Sequence, residues 1–78
     1  MLNGLLNRQV EQGAFYRRPN TGSVTETAQV LEVAEDVMGI PHVRFQLYVI
    51  RGTDARTEQR TLALDTFYAR YRERVYEG

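Results

Sequence analysis

Ile40-Pro41-His42-Val43-Arg44-Phe45-Gln46-Leu47-Tyr48-Val49-Ile50 is the stretch whose reading decides the fold. Val43, Phe45, Leu47 and Val49 alternate with His42, Arg44, Gln46 and Tyr48. A period of two sends successive side chains to opposite faces of an extended chain, and β-branched and aromatic residues suit that state. The stretch reads as a strand with one buried face. Pro41 marks its start, where a missing N–H is tolerated.

Two further strands flank it. Val24 to Ala34 carries Thr25, Thr27, Gln29, Leu31 and Val33 on one side and Val24, Glu26, Ala28, Val30 and Glu32 on the other. Apolar residues occupy both sides at Val30-Leu31, which predicts either cover on both faces or a β-bulge. Glu35 to Gly39 is the loop between, and Gly52-Thr53-Asp54-Ala55 is the turn before a third strand, Arg56 to Leu64. With Ala34 opposite Ile40, Leu31 faces Val43 and Glu32 faces His42. With Arg51 opposite Arg56, Phe45 faces Leu62 and Val43 faces Leu64. These registers gather Leu31, Val33, Val43, Phe45, Leu62 and Leu64 on one face, and a one-residue slip scatters them.

Outside this meander, Ala14 to Arg18 reads as a short first strand, ended by the turn residues Pro19-Asn20-Thr21-Gly22-Ser23. Asp65 or Thr66 is positioned to cap a final helix running to Tyr71 or beyond, with Phe67, Tyr71 and Val75 on one stripe and Tyr68 beside it. At the N-terminus Leu2, Leu5, Leu6 and Val10 fall at helical spacing ahead of Gly13. Residues 1–12 are thus a short helix or a tail, and residues 13–78 a single small β-rich domain. The class is mainly β with a minor α+β character: a small antiparallel meander or partly open barrel with a short C-terminal helix.

Composition sets the bounds. The chain has 78 residues, 42% apolar and 26% charged, which is ordinary globular usage and argues against disorder. A core of this size supplies about 3–5 kcal/mol, and small domains often add a disulfide, a metal or a second subunit. There is no cysteine and one histidine, so disulfides and thiolate or multi-histidine metal sites are excluded. Oligomerisation, with a homodimer through Leu2, Leu5, Leu6 and Val10 as the candidate, or simply good packing is what remains. The N-terminal stretch lacks the basic start and long apolar centre of a signal peptide, and no apolar run has a membrane span's length. The expectation is a cytoplasmic protein without a membrane segment. Formal net charge is zero, which weighs against a general nucleic-acid binder. All ten basic residues are arginine.

Gly13-Ala14-Phe15-Tyr16, Val30-Leu31-Glu32-Val33-Ala34, Val43-Arg44-Phe45 and Arg60-Thr61-Leu62-Ala63-Leu64 leading to Phe67 occur in this order. The arrangement resembles small bacterial domains with SH3-like, strongly bent antiparallel sheets, several of them of unknown function. The resemblance covers the chain from Gly13 to Tyr71. It implies a partly open barrel with one helical turn after the last strand, and it carries over no functional residue.

Catalytic constellations are poorly supplied. Ser23 and His42 are the only serine and histidine, and neither register brings them together. Glu32, Glu35 and Asp36 offer carboxylates without the repeated Asp/Asn pattern of a calcium loop. No glycine loop of the phosphate-cradling kind and no Walker-type lysine is present. The chain reads as non-enzymatic, with neither metal nor cofactor. His42 opposite Glu32 reads first as a cross-strand pair that fixes register.

Two surfaces are candidates for binding. The first is the polar sheet face of His42, Arg44, Gln46 and Tyr48 with Gln59, Thr61 and Ala28, or a strand edge, recognising a protein partner; Tyr and Arg are enriched at interface hot spots. The second is the arginine-aromatic mixture at the two ends, Tyr16, Arg17, Arg18, Arg70 and Arg72, suited to stacking on bases and neutralising phosphates of RNA or single strands. A protein-interaction module is the leading expectation and nucleic-acid binding the alternative.

Overall fold

A computed structural model of the chain describes residues 10–76. Five strands form one antiparallel sheet: β1 (Phe15–Arg17), β2 (Val24–Glu35), β3 (Pro41–Arg51), β4 (Asp54–Ala63) and β5 (Glu73–Val75). One short helix, α1 (Leu64–Arg70), joins β4 to β5. The strand order is β4-β3-β2-β1-β5, so the sheet is not closed and β4 and β5 are its edges. This is the mainly β class that the alternation predicts, with the Pro41-to-Arg51 strand at its centre. No helix among the described residues is long and apolar enough to cross a membrane. The leucines Leu2, Leu5 and Leu6 lie outside the described residues; Val10 is buried in the chain's own core.

Pairing differs in detail from the simplest registers. A two-residue turn, Gly52-Thr53, places Arg51 opposite Asp54, so Val43 faces Leu62 and Phe45 faces Arg60. Gly52 has φ +59°, the left-handed conformation that such tight hairpin turns require. On the other side Val33 faces Val43, Ala34 faces His42 and Glu32 faces Arg44, not His42. Each shift is by two residues, so the face assignments of Val33, Val43, Phe45 and Leu62 survive it. The register breaks between Val30 and Glu32, a β-bulge at the point where apolar residues fall in succession. The extra residue, Leu31, reverses the parity of β2. Val30 and Ala28 consequently face the core beside Phe45 and Leu47, and Leu31 drops out of the expected ribbon.

The C-terminal segment also departs from expectation. Leu64 opens α1 rather than ending a strand, Ala63 is the N-cap residue, and no side chain caps the helix. Asp65 instead supplies an acidic group in the first turn, where the helix dipole favours it. The helix stops at Tyr71, and Val75 enters β5 opposite Phe15 rather than extending the helical stripe. The free side of β1 offers backbone partners that another helical turn could not use, and β5 takes them.

α1 lies over the inner face of one half of the sheet. Leu64, Phe67 and Tyr71 are buried there with Val10, Ala14, Tyr16, Ala28, Val30, Val43, Phe45 and Leu47. Phe67 sits at the centre of an aromatic cluster, 4.9 Å from Phe45, 5.1 Å from Tyr71 and 5.8 Å from Tyr16 between ring centroids. The rest of the inner face, toward the β3–β4 turn, is not covered by the helix.

Candidate functional site

The outer face is a ladder of polar side chains. Arg44, Gln46 and Tyr48 of β3 stand opposite Thr61, Gln59 and Thr57 of β4, and His42 stands opposite Ala63. The six residues singled out on this face, His42, Arg44, Gln46, Tyr48, Gln59 and Thr61, therefore share it, since they alternate with the buried Val43, Phe45 and Leu47. Ala28 does not belong there: the bulge turns it inward, where it is fully buried.

Many of these side chains are engaged with their neighbours. Arg44 Nε lies 3.5 Å from Glu32 Oε1, and Arg44 Nη1 donates to Gln59 Oε1 at 3.5 Å. Tyr48 Oη donates to Gln29 Oε1 at 3.3 Å. His42 Nδ1 lies 3.0 Å from the Ile40 carbonyl, which requires the Nδ1–H tautomer, and 3.7 Å from Asp36 Oδ2. The histidine's acidic neighbour is thus Asp36 of the β2–β3 loop and not Glu32.

The same loop is organised by Asp36. Its Oδ1 accepts from the backbone N–H of Met38 at 2.8 Å and of Ile40 at 3.0 Å. These bonds, the one from Ile40 first, hold the carboxyl below the usual aspartate range. No group of three His, Cys, Asp or Glu side chains able to hold a metal occurs among the described residues. Ser23 precedes Val24, which pairs with Arg51 at one end of β3; His42 is at the other end, on the order of 30 Å away at the rise of a strand.

Concavity belongs to the inner face. Beyond α1 a trough of about 520 Å³ is floored by Leu47 and Val49 and flanked by Val24. Arg18 from the β1–β2 connection, Arg51 from β3, and Arg56 and Arg60 from β4 line it, with Glu26 from β2. At Arg18 and Pro19 it adjoins a second hollow lined by Thr66, Ala69, Arg70 and Arg72. Six of the ten arginines thus line two neighbouring hollows that share Arg18 and Pro19, on a chain of zero net charge. Arg18 Nη1 lies 3.4 Å from Glu26, and Glu58 receives Arg60 at 2.7 Å and Arg56 at 3.8 Å. Arg51, Arg70 and Arg72 make no ion pair among the described residues.

The end-segment patch is split by this geometry. Arg18, Arg70 and Arg72 line one hollow. Tyr16 is 4% exposed, and its hydroxyl accepts the Glu11 N–H at 2.9 Å, so its ring offers no stacking surface. Arg17 alternates to the outer face opposite Thr27 and Glu73. Arg51, Arg56 and Arg60 were not foreseen. Their signal is the alternation of Asp54, Arg56, Glu58 and Arg60 on the same face as Leu62. Charges at core-facing parity mark a stretch of inner face with nothing packed over it.

Compared with protein-family models, curated proteins and solved structures, the chain matches none.

Proposed function

We propose that this domain is a non-enzymatic protein-interaction module of SH3-like build, and that the inner-face trough receives an extended, acidic segment of a protein partner. The observation that carries the proposal is the meeting of Arg18, Arg51, Arg56, Arg60, Arg70 and Arg72 around two adjoining hollows of the inner face. Guanidinium groups bind carboxylates bidentately, and arginine clusters are a recurring device for acidic-motif recognition. The half-buried Val49 on its floor gives the same segment apolar contact. A meander of four strands, with the last strand reached through one helix, supports the SH3-like assignment. The polar outer face carries one arginine of the β3–β4 ladder, Arg44, and it is paired with Glu32, whereas Arg51, Arg70 and Arg72 at the inner hollows make no ion pair among the described residues. A cysteine-free chain suits a reducing, cytoplasmic setting.

Nucleic acid is the second reading, favoured by the convergence of Arg18, Arg70 and Arg72. Against it stands the burial of Tyr16, which removes the stacking platform that single-strand binding uses. Fluorescence titrations separate the two. A labelled peptide alternating Glu and Leu should bind at low salt, weaken as salt rises, and lose affinity tenfold or more when Arg18, Arg51 and Arg70 are all changed to Ala. Tighter binding of a single-stranded oligonucleotide would favour the second reading; no binding of either probe at low salt would refute both.

A further inference from the structure

The longer free edge of the sheet is β4. Among the described residues its ten residues pair on one side only, with β3. Exposed edges of that length are templates for another strand unless something blocks them. Charge is the usual block, and β4 carries it in an unusual form. Along its inner face run Asp54, Arg56, Glu58 and Arg60, alternating in sign.

Four alternating charges are complementary to themselves when read antiparallel. Place Thr57 of one copy opposite Thr57 of a second. Arg56 then faces Glu58 of the other copy and Asp54 faces Arg60, and the two-fold axis repeats both pairs. Sliding by two residues in one direction sets Asp54 against Glu58 and Arg56 against Arg56. Sliding in the other sets Arg56 against Arg60 and Glu58 against Glu58. The nearest registers of the same face parity therefore meet like charges, which is a penalty. Odd shifts put the inner face of one copy beside the outer face of the other.

The backbone agrees with the charges. A two-residue turn closes on a pair that exchanges both hydrogen bonds, here Arg51 and Asp54. Alternation then points the N–H and C=O of Arg56, Glu58 and Arg60 toward β3, and those of Ala55, Thr57 and Gln59 toward the open side. In the Thr57-centred register Ala55 meets Gln59 and Thr57 meets Thr57, so outward groups meet outward groups. Arg56 and Glu58 fall in the closer, non-hydrogen-bonded pairs, where side chains interact best.

We infer that a second copy of this chain pairs antiparallel along β4, about a two-fold axis at Thr57, joining two five-stranded sheets into one. Main-chain bonds supply the attraction, and the alternating charges choose the partner strand and its register. The contact is isologous and closes on itself, so it makes dimers and not fibres. It draws on Arg56 and Arg60, which also line the trough, and leaves Arg18, Arg51, Arg70 and Arg72 to the trough alone.

The full chain tests this by sedimentation at low and high salt. A concentration-dependent dimer that weakens with salt is expected. An all-acidic edge (Arg56→Glu with Arg60→Glu) and an all-basic edge (Asp54→Arg with Glu58→Arg) should each give monomers alone, and an equimolar mixture should give dimers. Because the chain has no cysteine, Thr57→Cys provides a clean register probe. Opposed Cα atoms of a hydrogen-bonded pair lie about 5.5 Å apart, within disulfide range. Thr57→Cys should cross-link on mild oxidation, and Ala55→Cys, whose facing residue is Gln59, should not. A wild-type monomer at millimolar concentration would overturn the inference. So would dimers of both edge variants alone, or a dimer that Thr57→Cys fails to cross-link while Ala55→Cys does.

Discussion

Phe45 and Phe67 meet edge to face across the junction of sheet and helix, with ring centroids 4.9 Å apart and planes at 63°. Both rings have no exposed surface. β3 supplies one and α1 the other, so this contact fastens a seven-residue helix to the centre of the sheet. A helix that short is not stable alone and owes its existence to such packing. Phe67→Ala should cost about 3–5 kcal/mol, as much as the whole core supplies, and leave the chain largely unfolded without urea. The double-mutant cycle of the milder Phe45→Leu and Phe67→Leu should show a coupling of about 0.5–1.5 kcal/mol beyond burial. Purely additive losses would mean that the helix is held elsewhere.

Tyr71 and Tyr16 are both buried but differ in what their hydroxyls do. Tyr71 Oη has no hydrogen-bond partner among the described residues, and burial first of all pushes its pKa up. The neutral phenol is the form the fold favours. Its contribution is complete below the unfolded pKa and is lost as pH climbs past the ordinary tyrosine range through the raised value. Tyr71→Phe should therefore keep or raise the melting temperature and reduce the loss of stability at alkaline pH. Tyr16→Phe should cost about 1 kcal/mol, because it strands the Glu11 N–H that the Tyr16 hydroxyl accepts. Equal losses in both variants would contradict this division.

Asp36 makes the opposite pH prediction. Its carboxyl is held low, first by the Ile40 N–H, with the Met38 N–H adding to the effect. The folded pKa lies below the unfolded one, so the stabilisation is present above the unfolded pKa and disappears as pH falls through the folded value. In a carbon-detected NMR titration Asp36 should remain ionised to below the usual aspartate range. Asp36→Asn keeps an acceptor oxygen and should hold the loop while abolishing that titration; Asp36→Ala should loosen Val37 to Ile40, seen as faster amide exchange.

Glu32 and Arg44 test the register. They are opposed across β2 and β3, with Nε and Oε1 3.5 Å apart, while His42 faces Ala34. Both side chains are about half exposed, so the coupling is small. A double-mutant cycle on Glu32→Ala and Arg44→Ala should give roughly 0.2–1 kcal/mol, falling with salt, and the cycle on Glu32 and His42 should give nothing measurable. A Glu32–His42 coupling larger than the Glu32–Arg44 one would restore the simpler loop register.

Much of this architecture was legible in the alternation of β3. Val43, Phe45, Leu47 and Val49 face inward as their spacing requires, and the doubled apolar position at Val30-Leu31 is a bulge. What the alternation did not resolve was turn length. A tight two-residue hairpin at Gly52-Thr53 moved every β3–β4 partner by two residues without changing its face. β5 was hidden because Val75 continues the helical spacing of Phe67 and Tyr71, and only the unsatisfied side of β1 decides against the helix. The outer-face residues were placed on one face, since parity survives even-numbered errors. The trough was missed because its arginines come from β3, β4, the β1–β2 connection, the end of α1 and the chain after it. Their proximity depends on strand register and on the shortness of α1, and no local pattern records either.

Amide chemical-shift mapping with an acidic, apolar-containing peptide tests the central claim most directly, because both candidate faces are read in one spectrum. Saturable shifts should concentrate at Arg18, Arg51, Arg56, Ala69 and Arg70 around the trough, leaving Arg44, Gln46, Gln59 and Thr61 unmoved. Shifts confined to those outer-face residues would contradict the account and return recognition to the polar ladder.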